Sequence, residues 1–175
     1  KELQNEASFP ITYIYQENQG KHIAINTAVK ATSNDLFLII DSDDEMIENS
    51  SEKILKILPS FLENQNLAAI CFPLYSGNTE MTMTNKKINF DQVILNSIEL
   101  QNEYGITGEF TYLFKTKILK QYPFPHFVGE KFMKESVIYK IIDRTYKNLY
   151  VNQSIVKCEY LEGGLSSNFR KLLEN

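Results

Sequence analysis

A short apolar run that leads directly into a carboxylate cluster places the strongest constraint on the fold of this chain. Leu36–Ile40 is unbroken apolar sequence, and Asp41, Asp43 and Asp44 follow it at once. Such a run is typical of a strand buried on both faces, as in the middle of a parallel sheet. Ligands of open α/β sheets bind beyond the carboxyl ends of these strands. The pattern therefore predicts an α/β domain with a ligand site at residues 41–44.

The carboxylate cluster also indicates what the ligand is. Neighbouring acidic side chains repel one another unless a cation or hydrogen-bond donors compensate them. Mg²⁺ and Mn²⁺ take oxygen ligands and often need only one or two protein carboxylates, which leaves positions for phosphate and water. We therefore expect Mg²⁺ or Mn²⁺ holding an anionic ligand, most simply a nucleotide diphosphate. The alternative is an acidic loop that only caps the following helix.

Size and charge exclude several classes of protein. With 175 residues and a formal net charge of -4, the chain fits one domain and has no basic footprint for nucleic acid. No window is long and apolar enough to predict a transmembrane segment. Cys71 and Cys158 lie in apolar runs and are expected to be small buried side chains, since no second Cys or His stands at zinc-ligand spacing.

Predicted strands and helices alternate along the chain. Ile11–Tyr15 reads as a strand, Ile25, Ala28 and Val29 mark one face of a helix, and the apolar run completes a strand-helix-strand unit. Downstream, the pattern predicts a helix capped by Asn49 and Glu52, strands at 67–72, 111–114 and 154–160, and helices at 90–104 and beyond Gly129.

Three strings at the start of the chain point to a family. Asn18-Gln-Gly20-Lys21, Ala24-Ile-Asn26 and Asp41-Ser-Asp43-Asp44 together resemble the family 2 glycosyltransferases of the GT-A fold. The downstream strings resemble a bacterial branch of that family: Gly105–Glu109, Lys120–Pro125, Gly129–Phe132 and Glu135. The resemblance extends over residues 11–166.

The resemblance implies a domain organisation. Residues 1–166 would form a partial GT-A catalytic domain, with a mainly parallel central sheet and flanking helices, and 167–175 a tail or the start of a linker. Members of the family begin with a strand-helix-strand unit that this chain lacks. The sequence is therefore expected to be an N-terminally truncated piece with an incomplete donor site.

The resemblance further implies an inverting, metal-dependent transferase that moves a hexosyl or N-acetylhexosaminyl group. The donor would be a nucleotide-diphosphate sugar, a UDP-sugar on family grounds, and the acceptor a glycan or lipid-linked glycan in cell-surface polysaccharide synthesis. The expected location is the cytoplasm, at the inner face of the membrane by peripheral association.

The implied site residues fall into four groups. An inverting enzyme needs a base for the acceptor hydroxyl, and Glu135 and Glu130 are the candidates, although Ser136 stands where many relatives have Asp. Glu109 is assigned to the acceptor, and Asp43 or Asp44 to the metal. The remaining group would bind the donor: Asn18, Gly20, Lys21, Asn26, Asp41 and Asp43. His22 is an alternative phosphate contact, and Asp143 is expected to be solvated.

Two other functions fit parts of the pattern. A nucleotidyltransferase shares a nucleotide-binding α/β core and a metal, but a Gly-rich, Arg-containing N-terminal loop would be its sign, and none is visible. A non-catalytic binding module on the GT-A scaffold would be marked by a degenerate carboxylate cluster, whereas the cluster here is intact.

Overall fold

The computed structural model describes residues 7–158 of the chain. Within that range the helices and strands follow in this order: α1 (Lys21–Ala31), β1 (Leu36–Leu38), β2 (Asp44–Met46), α2 (Ser50–Glu63), β3 (Leu67–Pro73), β4 (Tyr75–Ser76), β5 (Met81–Thr82), β6 (Gln92–Leu95), α3 (Ser97–Tyr104), β7 (Phe110–Lys115), α4 (Thr116–Gln121), α5 (Ser136–Ile142), β8 (Lys147–Val151) and β9 (Val156–Cys158). The predicted tail at 167–175 lies outside the described residues.

The larger sheet is mixed. Its strand order is β1-β7-β3-β8-β6, in which β3 and β8 pair in parallel and the other neighbours pair antiparallel. The predicted α/β class is confirmed, but the sheet is not mainly parallel. Sequence patterns missed this because they show that a segment is a strand without showing which neighbour it pairs with.

The apolar run before the carboxylates does not form a central strand. β1 ends at Leu38, is half-buried, and among the described residues pairs only with β7 at the edge of the sheet. The strand buried on both faces is β3, all seven residues of which are buried. Ile39 and Ile40 extend beyond β1 and carry the chain to Asp41.

A second sheet lies against the acidic cluster. It has the order β2-β9-β4-β5, and β2 and β9 pair antiparallel with Asp44 opposite Cys158. β2 was not predicted, because Asp44-Glu45-Met46 has no apolar pattern. Pairing with β9 therefore fixes the backbone at the end of the carboxylate cluster.

Other local predictions need correction. Ile11–Tyr15 forms no strand, and its side chains are largely exposed, with Tyr13 at 74% and Tyr15 at 78%. The helix predicted over 90–104 is β6 followed by α3, and β8 was not predicted. Asn49 precedes α2 in a left-handed conformation without a capping hydrogen bond from its side chain.

The core packs on both faces of β3. Ala69 and Cys71 face the cluster formed with α1, α4 and α5, whereas Ile70 and Phe72 face the cluster formed with α2. This alternation follows the two-residue period of a strand. Among the described helices, none combines the length and apolar character needed to cross a bilayer. The larger sheet therefore has helices packed on both of its faces.

Candidate active site

The carboxylate cluster forms a tight turn between β1 and β2. The Asp44 backbone N–H donates to the Asp41 carbonyl at 3.1 Å, which closes the turn. Asp43 lies exposed at its tip, Asp44 is half-buried at the start of β2, and the Asp41 side chain is 43% exposed. The turn thus presents neighbouring carboxylates to one region of solvent.

Lys21 joins this turn to the second half of the chain. Its Nζ lies 2.6 Å from each carboxylate oxygen of Asp41 and 2.6 Å from Oε1 of Glu135. Burial disfavours the charge of the ammonium, but its hydrogen bonds to Asp41 and Glu135 outweigh that effect and raise the pKa of Lys21. Lys21, which is predicted to bind the donor, therefore contacts two other predicted site residues directly. These are Asp41, predicted to bind the nucleotide-sugar, and Glu135, a predicted base.

The loop before α1 fixes the start of that helix. The Gly20 backbone N–H donates to Oδ1 of Asn18 at 3.0 Å, and Gly20 has a φ of 91°, which glycine adopts without strain. A Cβ at position 20 would lie 2.1 Å from the Lys131 carbonyl oxygen. Glycine is therefore required for the close approach of the 127–135 loop, which carries Glu130 and leads to Glu135.

Asn26 links α1 to the Pro-Phe-Pro turn. Its Nδ2 donates to the Phe124 carbonyl at 2.8 Å, and its Oδ1 accepts from the Phe124 N–H at 2.9 Å. Both ends of the amide are thus engaged with backbone, which gives Asn26 a positioning role. Its predicted contact with the donor stays a prediction.

The two candidate bases lie in different surroundings. Glu130 turns back on its own loop, where Oε1 accepts from the Phe132 N–H at 2.8 Å. Glu135 is the N-cap residue that immediately precedes α5, its side chain is 29% exposed, and it forms an ion pair with Lys21. The two candidates therefore have different contacts, and the choice between them as the base stays a prediction.

Tyr139 is a member of this site that sequence reasoning missed. Its ring packs against Tyr112 and Phe114, with centroids 4.5 and 5.0 Å away. Burial raises the pKa of Tyr139 well above its ordinary value, and the charges of Glu135 and Asp41 raise it further. The phenol is one helical turn beyond Glu135, a spacing that could have revealed it. Tyr139 thus packs in an aromatic cluster one helical turn beyond Glu135.

The electrostatics of the turn suit a cation. Burial, followed by the charges of Asp41 and Asp43, raises the pKa of the Asp44 carboxyl, because these groups disfavour another negative charge. In the part of the chain that the structure describes, no group of three or more His, Cys, Asp or Glu side chains is arranged to hold a metal by itself. A cation at Asp43 and Asp44 would therefore need further ligands from phosphate and water, and its binding stays a prediction.

Glu109 is bonded through its backbone to residues that flank β4 and β5 of the smaller sheet. Burial raises the pKa of the Cys158 thiol, and the charges of Asp44, Glu109 and Asp43 raise it further. The backbone of Glu109 is held by Leu74 and Met83, at 2.9 and 3.0 Å. The role of Glu109 toward an acceptor stays a prediction.

His22 and Asp143 differ from what the sequence suggested. His22 is 1% exposed, packs near Phe124 with centroids 6.3 Å apart, and has no hydrogen-bond partner for either ring nitrogen within residues 7–158. It is too deeply buried to serve as a phosphate contact at the surface. Asp143 is 9% exposed rather than solvated, and its carboxylate accepts hydrogen bonds from Ser97 and Asn148.

A comparison with protein families identifies the family of the chain. The family model described as glycosyl transferase family 2 matches residues 1–142, most of the chain and all of the turn, the α1 loop and Glu135. The chain belongs to glycosyl transferase family 2. No curated protein matches it.

Solved structures confirm the fold of this family 2 chain. The crystal structure of S. aureus TarS 1–349 has a TM-score of 0.62 at 11% identity, with 90% of this chain and 45% of that chain covered. The crystal structure of TarS 1–349 in complex with UDP-GlcNAc has a TM-score of 0.63 at 14% identity, with 95% and 46% covered. The chain thus adopts the GT-A fold and spans less than half the length of the TarS chains.

Proposed function

We propose that this family 2 domain transfers a sugar from a nucleotide-diphosphate donor to a hydroxyl group of an acceptor. The observation that carries the proposal is the contact of Lys21 with both Asp41 and Glu135, at 2.6 Å each. It unites a turn suited to a metal and a diphosphate with a carboxylate suited to general-base catalysis. Family membership and the likeness to TarS support the same reaction class.

Each part of the site has a task in this reaction. Asp43 and Asp44 would hold Mg²⁺ or Mn²⁺, and the bound ion would supply Lewis-acid stabilisation of the leaving diphosphate. Glu135 accepts the proton of the acceptor hydroxyl as its oxygen forms a bond to the anomeric carbon. The bond between that carbon and the diphosphate breaks in the same step, and its electrons leave with the diphosphate. Attack from the side opposite the leaving group inverts the anomeric centre.

The nature of donor and acceptor belongs to the proposal as well. Because TarS was crystallised with UDP-GlcNAc, a UDP-linked N-acetylhexosamine is the first donor to test, with UDP-hexoses beside it. The acceptor would be a glycan or lipid-linked glycan of a cell-surface polysaccharide, used at the inner face of the membrane. Glu109 would contact this acceptor.

The test is donor turnover over a panel of nucleotide-sugars with Mn²⁺. Asp43→Asn should lower turnover about 1,000-fold, because a metal at a leaving group contributes several kcal/mol. Asp35→Asn, an exposed aspartate before β1, is the matched control and should change it less than about twofold. Chelation should stop turnover and Mn²⁺ restore it. Full activity of Asp43→Asn would refute the metal assignment.

A second pair of variants identifies the base. Glu135→Gln should keep UDP binding but lower transfer at least about 100-fold, the usual worth of general-base catalysis. Glu130→Gln, whose carboxylate contacts its own loop, should lower transfer less than about tenfold. The opposite ranking would make Glu130 the base. Use of a nucleoside triphosphate with release of pyrophosphate would instead indicate a nucleotidyltransferase.

A further inference from the structure

Lys21 is shared between two carboxylates. One ammonium serves two carboxylates: it touches both oxygens of Asp41 and one oxygen of Glu135, all at 2.6 Å. Asp41 belongs to the donor side of the proposed site, and Glu135 is the proposed base. While this arrangement holds, the base is engaged in an ion pair and is less available to an acceptor hydroxyl.

A diphosphate at the acidic turn would compete for the same ammonium. Lys21 starts α1, whose first turn contains no acidic residue, so the partial positive charge of the helix N-terminus also faces an arriving anion. The Lys21 side chain is 45% exposed and has a flexible stem, so it can move to a phosphate oxygen without unpacking the core. Each new contact with phosphate weakens the hold of Lys21 on Glu135.

We propose that Lys21 is a positioning residue that couples the donor site to the base. Without donor, Lys21 holds Glu135 in an ion pair. When the nucleotide diphosphate binds, Lys21 turns to it, and Glu135 is released to accept the acceptor's proton. The chain would thereby keep its base occupied until a donor is in place. This inference rests on the proposed function.

The coupling has a consequence that binding alone can measure. If Glu135 and the diphosphate compete for Lys21, removing the charge of Glu135 must tighten diphosphate binding, because coupling between two ligands of one group is reciprocal. Removing a nearby negative charge also favours an anion directly, whether or not Lys21 takes part. A double-mutant cycle separates the two effects.

The experiment is calorimetric titration of the chain with UDP in Mn²⁺, carried out on wild type, Glu135→Gln, Lys21→Met and the double variant. Glu135→Gln should lower the Kd for UDP about fivefold when Lys21 is present. In the Lys21→Met background the same change should lower the Kd less than about twofold. Lys21→Arg keeps the cation and should preserve most of the difference.

Matched controls isolate the Lys21–Glu135 pair. Lys30→Met removes an exposed lysine from the last turn of the same helix, and Glu130→Gln removes the neighbouring carboxylate. Glu135→Gln should lower the Kd for UDP equally in the wild-type and Lys30→Met backgrounds. Glu130→Gln should have the same effect on this Kd with and without Lys21. Equal tightening by Glu135→Gln with and without Lys21 would overturn the coupling alone. Absence of UDP binding by the wild type would overturn the proposed function, and the coupling with it.

Discussion

Asp143 and the acidic turn hold carboxylates in opposite ways. Asp143 is buried, and its two oxygens accept from the Ser97 N–H at 3.0 Å and from Nδ2 of Asn148 at 2.7 Å. The turn exposes Asp43, and burial together with repulsion from Asp41 and Asp43 raises the pKa of Asp44. A carboxylate whose hydrogen bonds are all made within the protein serves the fold. Carboxylates left to repel one another are available to a cation.

The largest effect on stability should come from the satisfied carboxylate. Asp143→Ala leaves the Ser97 N–H and the Asn148 amide without their acceptor, and each buried unpaired donor costs about 1–3 kcal/mol. We expect the free energy of unfolding to fall by about 3 kcal/mol, measured by urea denaturation.

Asp43→Asn is the matched variant from the acidic turn. Because Asp43 is exposed, its replacement should change the free energy of unfolding by less than about 0.5 kcal/mol. A loss of several kcal/mol from Asp43→Asn, or none from Asp143→Ala, would break the contrast between a structural and a ligand-binding carboxylate.

A medium effect should follow from Asn26, a neutral side chain that holds the site together. Asn26→Ala removes the two hydrogen bonds to the Phe124 backbone and should lower the free energy of unfolding by about 2 kcal/mol. UDP affinity should fall less than about threefold if Asn26 only positions the loop. Asn34→Ala, in the exposed segment after α1, is the control and should change neither quantity. A large loss of UDP affinity with little change in stability would make Asn26 a donor contact instead.

The smallest effect should be the pH dependence contributed by Glu99. Its hydrogen bond from Lys147, together with that from the Asn96 backbone, lowers the pKa of Glu99 from its ordinary value. A lowered folded-state pKa stabilises the protein above the unfolded pKa, and this contribution disappears as the pH falls through the folded pKa. The Tm difference between wild type and Glu99→Gln should therefore shrink from about pH 6 to about pH 3. Glu103→Gln, exposed in the same helix, should show no such change, and a difference that grew toward acid would contradict the sign.

Capping shows where local sequence reasoning succeeds and fails. Asn49 and Glu52 have capping-box spacing, yet Asn49 makes no capping hydrogen bond from its side chain. Asn96 and Glu99, at the same spacing, form a full capping box at the start of α3. The helix at 97–104 had been predicted to begin at 90, so this cap was not recognised. Spacing permits a cap, and the path of the chain before the helix decides whether it forms.

By itself, the sequence determined the family, the α/β class and the strands with apolar runs, β3 and β7, because these follow from local patterns of residue type. It also located the turn at 41–44. Tertiary structure decided that the apolar run before this turn lies at a sheet edge, that Asp143 is buried, and that Lys21 meets Glu135 rather than Glu130. Each of these depends on pairing and packing between segments far apart in the chain, which no local period of polar and apolar residues encodes.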